Sequence, residues 1–203
     1  MIAQFGMCQN YFSQSLNFEN TGGMMSNEKS SKLLKLVFLQ PHVEASKGEE
    51  KDPMEYAARE YGSRGNVVNN TYEMVGRSIS LCIHYEQLIG ELMLVGHGSS
   101  FSLRIGSDFV TVDSLTPGHN YYKPQVHLPL RQLIPYFHPS AKIVIQQCKC
   151  GGSDAGKDLL KNLSQLWKRP VISFTGDISF GRGVEYENGQ FNVCVNNFCF
   201  SPH

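Results

Sequence analysis

Glu91-Leu92-Met93-Leu94-Val95-Gly96-His97-Gly98-Ser99-Ser100 is the stretch that decides the fold. Its apolar residues are consecutive, where a strand with one wet face would alternate. A strand covered on both faces reads this way, as in a parallel sheet between layers. A second run of the same kind, Lys142-Ile143-Val144-Ile145-Gln146, leads into Gln147-Cys148-Lys149-Cys150-Gly151-Gly152. Further out, Lys35–Gln40, closed by Pro41, and Val171–Phe174 predict two more buried strands.

Helical patterns lie between these runs. Asp52-Pro53 predicts a capped start to a helix over 53–61. Residues 72–88 fit helix or strand. Residues 126–137 predict a helix made irregular by Pro129 and Pro135. Beyond Asp154, placed to cap, Leu159, Leu160, Leu163, Leu166 and Trp167 line one helical face. Residues 62–70 read as a loop. The alternation on either side of Gly106-Ser107 predicts a hairpin over 101–112. Turn residues at Gly181-Arg182-Gly183 and Glu187-Asn188-Gly189 predict a terminal hairpin. Strands alternating with helices predict an α/β protein: a three-layer α/β/α sandwich around a mainly parallel sheet.

Composition bounds the function. The chain has 203 residues, with 18 basic and 18 acidic side chains. A net charge of zero argues against a nucleic-acid binder, which needs a basic excess. No run approaches the ~18 apolar residues of a membrane span. Residues 1–31 are polar and aperiodic and are expected to form a flexible arm, with one domain over 32–203. Arms of this kind occur on bacterial effectors delivered into a host cytoplasm. The N-terminus lacks the basic region and unbroken apolar core of a secretory signal. Six cysteines are too few for a disulfide scaffold. The expectation is a reducing, cytoplasmic setting, with thiols as core filler (Cys82, Cys194), metal ligands or a nucleophile.

In parallel sheets ligands sit beyond the carboxyl ends of the strands. His97 and the Cys148/Cys150 pair each follow a buried strand directly, which puts them on one rim. A cysteine nucleophile needs a base or a low pKa, and donors for an oxyanion. The Gly98 N–H is a candidate oxyanion donor. Cys148 ends the apolar run and is favoured as nucleophile, with Cys150 as the alternative.

The order strand–His-Gly, then strand–Gln-x-Cys, resembles the caspase-like cysteine peptidases. The likeness rests on Leu92–Gly98 and Ile143–Cys148 and extends over about residues 33–180. It implies His97 as general base, Cys148 as nucleophile, backbone N–H groups near Gly98 and Cys148 as oxyanion donors, a protein substrate and no cofactor. Family members select one side chain before the cut. Asp177 and Glu185 are candidates for receiving a basic side chain, and Arg182 for an acidic one. Each is also readable as a solvated turn charge. The chain departs from the family at Gln147, where small residues are common, and at Cys-Lys-Cys-Gly after it.

Rival patterns are weaker. Gly151–Asp158 matches a P-loop except at Asp158, where Ser or Thr should hold Mg²⁺. Val95–Ser99 looks like the opening of the small cobalt chelatases but lacks their second histidine motif. Gly62–Gly65 is one residue short of a hydrolase elbow, and Cys148-x-Cys150 with Cys194-x₄-Cys199 lacks zinc spacing. Two function classes follow: a cysteine peptidase, or a non-catalytic binding protein on the same fold.

Overall fold

The computed structural model describes residues 32–41, 53–180, 184–187 and 189–202. The expected arm at 1–31, the Asp52 cap and the Gly181–Gly183 turn lie outside them. Twelve strands and five helices follow one another among the described residues. The strands of the main sheet are β1 (Leu34–Leu39), β2 (Gly65–Val67), β3 (Ile89–Gly96), β7 (Phe137–Gln147), β8 (Val171–Phe174), β11 (Phe191–Val195) and β12 (Phe198–Phe200). They stand in the order β12-β11-β8-β7-β3-β1-β2. From β2 to β8 all neighbours are parallel, while β11 and β12 return antiparallel. The sheet is therefore mixed, with a parallel centre.

The helices are α1 (Pro53–Tyr61), α2 (Thr71–Tyr85), α3 (Val112–Leu115), α4 (Pro124–Gln132) and α5 (Asp154–Trp167). The consecutive apolar residues of the central strands divide between two cores, as the period of two requires. Leu36, Phe38, Leu92, Leu94, Ile143 and Ile145 join one core with α2, α4 and α5. Val37, Leu39, Met93 and Val95 join the other with Met54 and Ala57 of α1. That second core is completed by Ile178 and Phe180 of β9 (Ile178–Phe180), which pairs with β10 (Val184–Tyr186) as a separate ribbon. A small sheet of β4 (Gly98–Ser99), β5 (Ser102–Ile105) and β6 (Asp108–Val110) follows β3 immediately.

Several elements differ from the sequence reading. Of residues 72–88, those to Tyr85 resolve as helix because Asn70 caps α2, its side chain accepting from the Glu73 N–H at 2.8 Å. Gly65–Val67, read as loop, forms the parallel edge strand β2. The helix expected over 126–137 ends at Gln132, and Pro135 falls in a separate 3₁₀ turn. Strand β7 starts as early as Phe137, and its register against β3 shifts between Ile89 and Glu91, across the stretch that contains Pro139. Ser153, not Asp154, caps α5, accepting from the Gly156 N–H at 3.0 Å. The tail forms two hairpins, since Asn196 takes a left-handed turn (φ 52°) between β11 and β12. That turn sets Cys194 opposite Cys199, and the two, read as thiols, are joined in a disulfide.

Candidate active site

Strands β3 and β7 are parallel neighbours at the middle of the sheet, and Gly96 pairs with Gln147. The next residues, His97 and Cys148, leave the two strands side by side at the carboxyl end. Both are partly exposed. Two residues 51 positions apart thus share one rim, with no intervening strand.

Cys148 faces the layer of α1 and β9. The Ile178 N–H donates to its Sγ at 3.4 Å, and the Sγ donates to the Ile178 carbonyl at 3.5 Å. Cys150 faces the opposite layer and is fully buried. Burial pushes its thiol pKa up to about 12, against a smaller lowering by a hydrogen bond with Ser173. Its burial weighs against Cys150 as the alternative nucleophile, because an attacking thiol must be reachable by its substrate.

Gly98 packs directly on the cysteine strand. A Cβ there would come within 2.8 Å of Gln147 Cβ and 3.2 Å of the Cys148 carbonyl oxygen. Only glycine lets β4 approach so closely. Two glutamines flank the same segment. The His97 N–H donates to Gln40 Oε1 at 2.9 Å. Gln147, fully buried, accepts from the Arg104 N–H at 2.8 Å through Oε1 and donates to the Arg104 carbonyl at 2.6 Å through Nε2.

On the α1 side, the Tyr61 hydroxyl donates to Gln146 Oε1, and Gln146 Nε2 donates to the Tyr186 hydroxyl at 2.5 Å. Burial raises the Tyr61 pKa, so its hydroxyl stays protonated. Tyr186 stacks on Phe174 with ring centres 3.9 Å apart. The β9–β10 ribbon that touches Cys148 is thereby tied to α1 and β7.

Of the charged candidates, Asp177 is exposed and paired with Lys149 at 2.9 Å. Its carboxylate raises the pKa of Lys149. Glu185 is exposed on β10, opposite Ser179. Arg182 lies outside the described residues. Sequence reasoning passed over Gln40, Tyr61, Tyr186 and Ile178, and quoted Gln146 only as part of a motif. Gln147 stood out only as a departure from a family pattern.

The P-loop reading fails on its donors. Gly151 N–H donates to the Phe174 carbonyl, Gly152 N–H to Lys149, Gly156 N–H to Ser153 Oγ and Lys157 N–H to the Ser153 carbonyl. A phosphate would find those N–H groups already spent. A Cβ on Gly156 would collide with the Cys150 carbonyl, so that glycine serves packing of α5 on the strand end. Among the described residues, no three His, Cys, Asp or Glu side chains gather as a metal site, and no helix is long and apolar enough to cross a membrane.

No curated protein and no solved structure matches the chain. Residues 65–181 match a family model described as a domain of unknown function, DUF4347. The match runs from β2 to just past β9 and takes in His97, Cys148 and Asp177. It covers more than half of the 203 residues, and the chain belongs to the DUF4347 family.

Proposed function

We propose that this protein is a cysteine endopeptidase of caspase-like, three-layer architecture, with Cys148 as nucleophile and His97 as general acid–base. The observation that carries the reading is the Gly96–Gln147 register, with His97 and Cys148 next in line on adjacent strands. The Cys148 thiolate attacks the scissile carbonyl, and His97 passes a proton to the leaving amine. A water then releases the acyl group from sulfur, its proton going to the imidazole. The Gly98 N–H is suited to the oxyanion: Ser99 and Ser102 close a two-residue turn as a hydrogen-bonded pair, which leaves Gly98 and Leu103 as a pair without ladder bonds. The substrate is a protein cut after a selected residue. Asp177, exposed next to the Ile178 that contacts the thiol, would meet a basic side chain there, in competition with Lys149.

A peptide library and a thiol-reactive peptide probe test this together. Cys148→Ala is expected to abolish turnover and remove one equivalent of probe. His97→Ala is expected to cost roughly 10²–10⁴ in rate. A chain that cuts no peptide and takes up no probe at Cys148 refutes the reading. One observation favours a second reading, a non-catalytic binding protein: the Cys148 sulfur already holds both backbone groups of Ile178. That outcome is the one in which peptides bind without being cut.

A further inference from the structure

The small sheet after β3 is interrupted at His97. In an antiparallel ladder, hydrogen-bonded and non-bonded pairs alternate. Ser99–Ser102 is a bonded pair and Gly98–Leu103 a non-bonded one. The next pair in register is His97 with Arg104, and it should exchange two backbone bonds. β4 begins only at Gly98, and three of the groups that such a pair would use, the His97 N–H and both Arg104 backbone groups, are engaged elsewhere. The other side of β5 leads to the same position. Ile105 and Asp108 close a two-residue turn, so Arg104–Phe109 is a non-bonded pair and the Arg104 backbone groups face the β4 side.

Glutamines engage those three groups. Gln147, at the end of β7, receives the Arg104 N–H at 2.8 Å and donates to the Arg104 carbonyl at 2.6 Å, which is what residue 97 would have done. Gln40, just past the end of β1, receives the His97 N–H at 2.9 Å. The flanking Gly96 and Gly98 pack on these same side chains: a Cβ on Gly96 would lie 2.9 Å from Gln40 Oε1, and one on Gly98 would lie 2.8 Å from Gln147 Cβ.

We infer that Gln40 and Gln147 are positioning residues that prise His97 out of the β4–β5 ladder and hold it beside Cys148. This rests on the His97–Cys148 reading above. Without Gln147, the cheapest repair for the half-buried Arg104 backbone is to pair with His97 and draw it toward β5. Leaving those groups unmet is the dearer course. Without Gln40, the His97 N–H is released for that same pairing. The two amides differ in what they need: Gln40 only accepts, whereas Gln147 must accept and donate.

The test uses the full chain with a peptide chosen by the library. Gln40→Met and Gln147→Met are each expected to lower kcat by roughly 10- to 100-fold and leave KM within about twofold, because misplacing a reacting group by an ångström costs on that scale. Gln40→Glu keeps the acceptor and is expected to restore most of kcat. Gln147→Glu loses the donor and is expected to stay impaired. The inference is overturned if both Met variants keep their kcat, if the loss falls on KM alone, or if Gln147→Glu works as well as the unaltered chain. Should the unaltered chain cut no peptide, the peptidase reading falls separately. The rate of Cys148 alkylation by iodoacetamide then decides: a changed rate in both Met variants supports the clamp, and an unchanged rate overturns it.

Discussion

Cys148 and Cys150 stand two positions apart, beyond the end of one strand, yet they meet different surroundings. Lys149 between them takes a left-handed conformation (φ 56°), which turns the chain so that Cys148 reaches β9 and Cys150 enters the α5 core. Limited iodoacetamide treatment of the folded chain is expected to label Cys148 and spare Cys150 and Cys82, read by peptide mass. Cys150→Ala should leave Cys148 labelling intact and cost about 1 kcal/mol of stability, the ordinary scale for trimming a small core residue. Label at Cys150 in the folded chain would contradict its burial. At this scale the sequence put His97 and Cys148 just past the ends of two buried strands, and those strands are neighbours. It hid Gln40 and Gln147, because the partner of each amide is a backbone group 57 or 43 positions away. No local pattern records such a bond.

Among the elements, the central strands are pinned at their opposite end by charge. Glu91 of β3 meets Lys35 of β1 at 2.6 Å and Lys142 of β7 at 3.0 Å. Partial burial would push its carboxyl pKa up, but the two ammonium groups outweigh that and hold it below the usual range. A depressed folded pKa adds stability above the unfolded value, about 4.3, and that stability is lost as pH falls through the folded value. Glu91→Gln is therefore expected to cost about 1 kcal/mol at neutral pH and to flatten the acid limb of a plot of Tm against pH. An unchanged acid limb would remove Glu91 from the account. The four buried strands were legible from their composition. Strand β2 was not, because three residues flanked by glycine and asparagine carry no period. Nor was the α2 helix, whose Gly76 and β-branched residues fit either state until the Asn70 cap settles it.

For the molecule as a whole, the parallel centre is closed on one side by β11 and β12. Cys194 and Cys199 join this terminal pair, and Asn192 of β11 reaches the Gly151 carbonyl at 2.6 Å in the turn after Cys150. Linking residues so close in sequence confines a short loop and is worth about 2 kcal/mol. Reduction, or Cys199→Ser, is expected to lower Tm by roughly 4–8 °C, and intact mass should rise by two hydrogens on reduction. Equal melting in the presence and absence of reductant would show that the pair adds nothing. Sequence reading missed this bond because cysteine count speaks to disulfide scaffolds, while the bond here depends on a turn at Asn196-Asn197 that sets two strands in register.

The strand order also has a history written into it. Strands β2, β1 and β3 can assemble once residue 96 has emerged from the ribosome, but β3 meets its second neighbour only when residues 137–147 follow. At ~5–20 residues per second, the apolar edge of Leu92–Val95 therefore waits for several seconds with unmet backbone groups. A polypeptide stalled in that interval offers a sticky, chemically inert half-sheet. On the peptidase proposal, the nucleophile Cys148 directly follows the strand that seals the edge, so the chain would not become reactive before it had become safe from self-association.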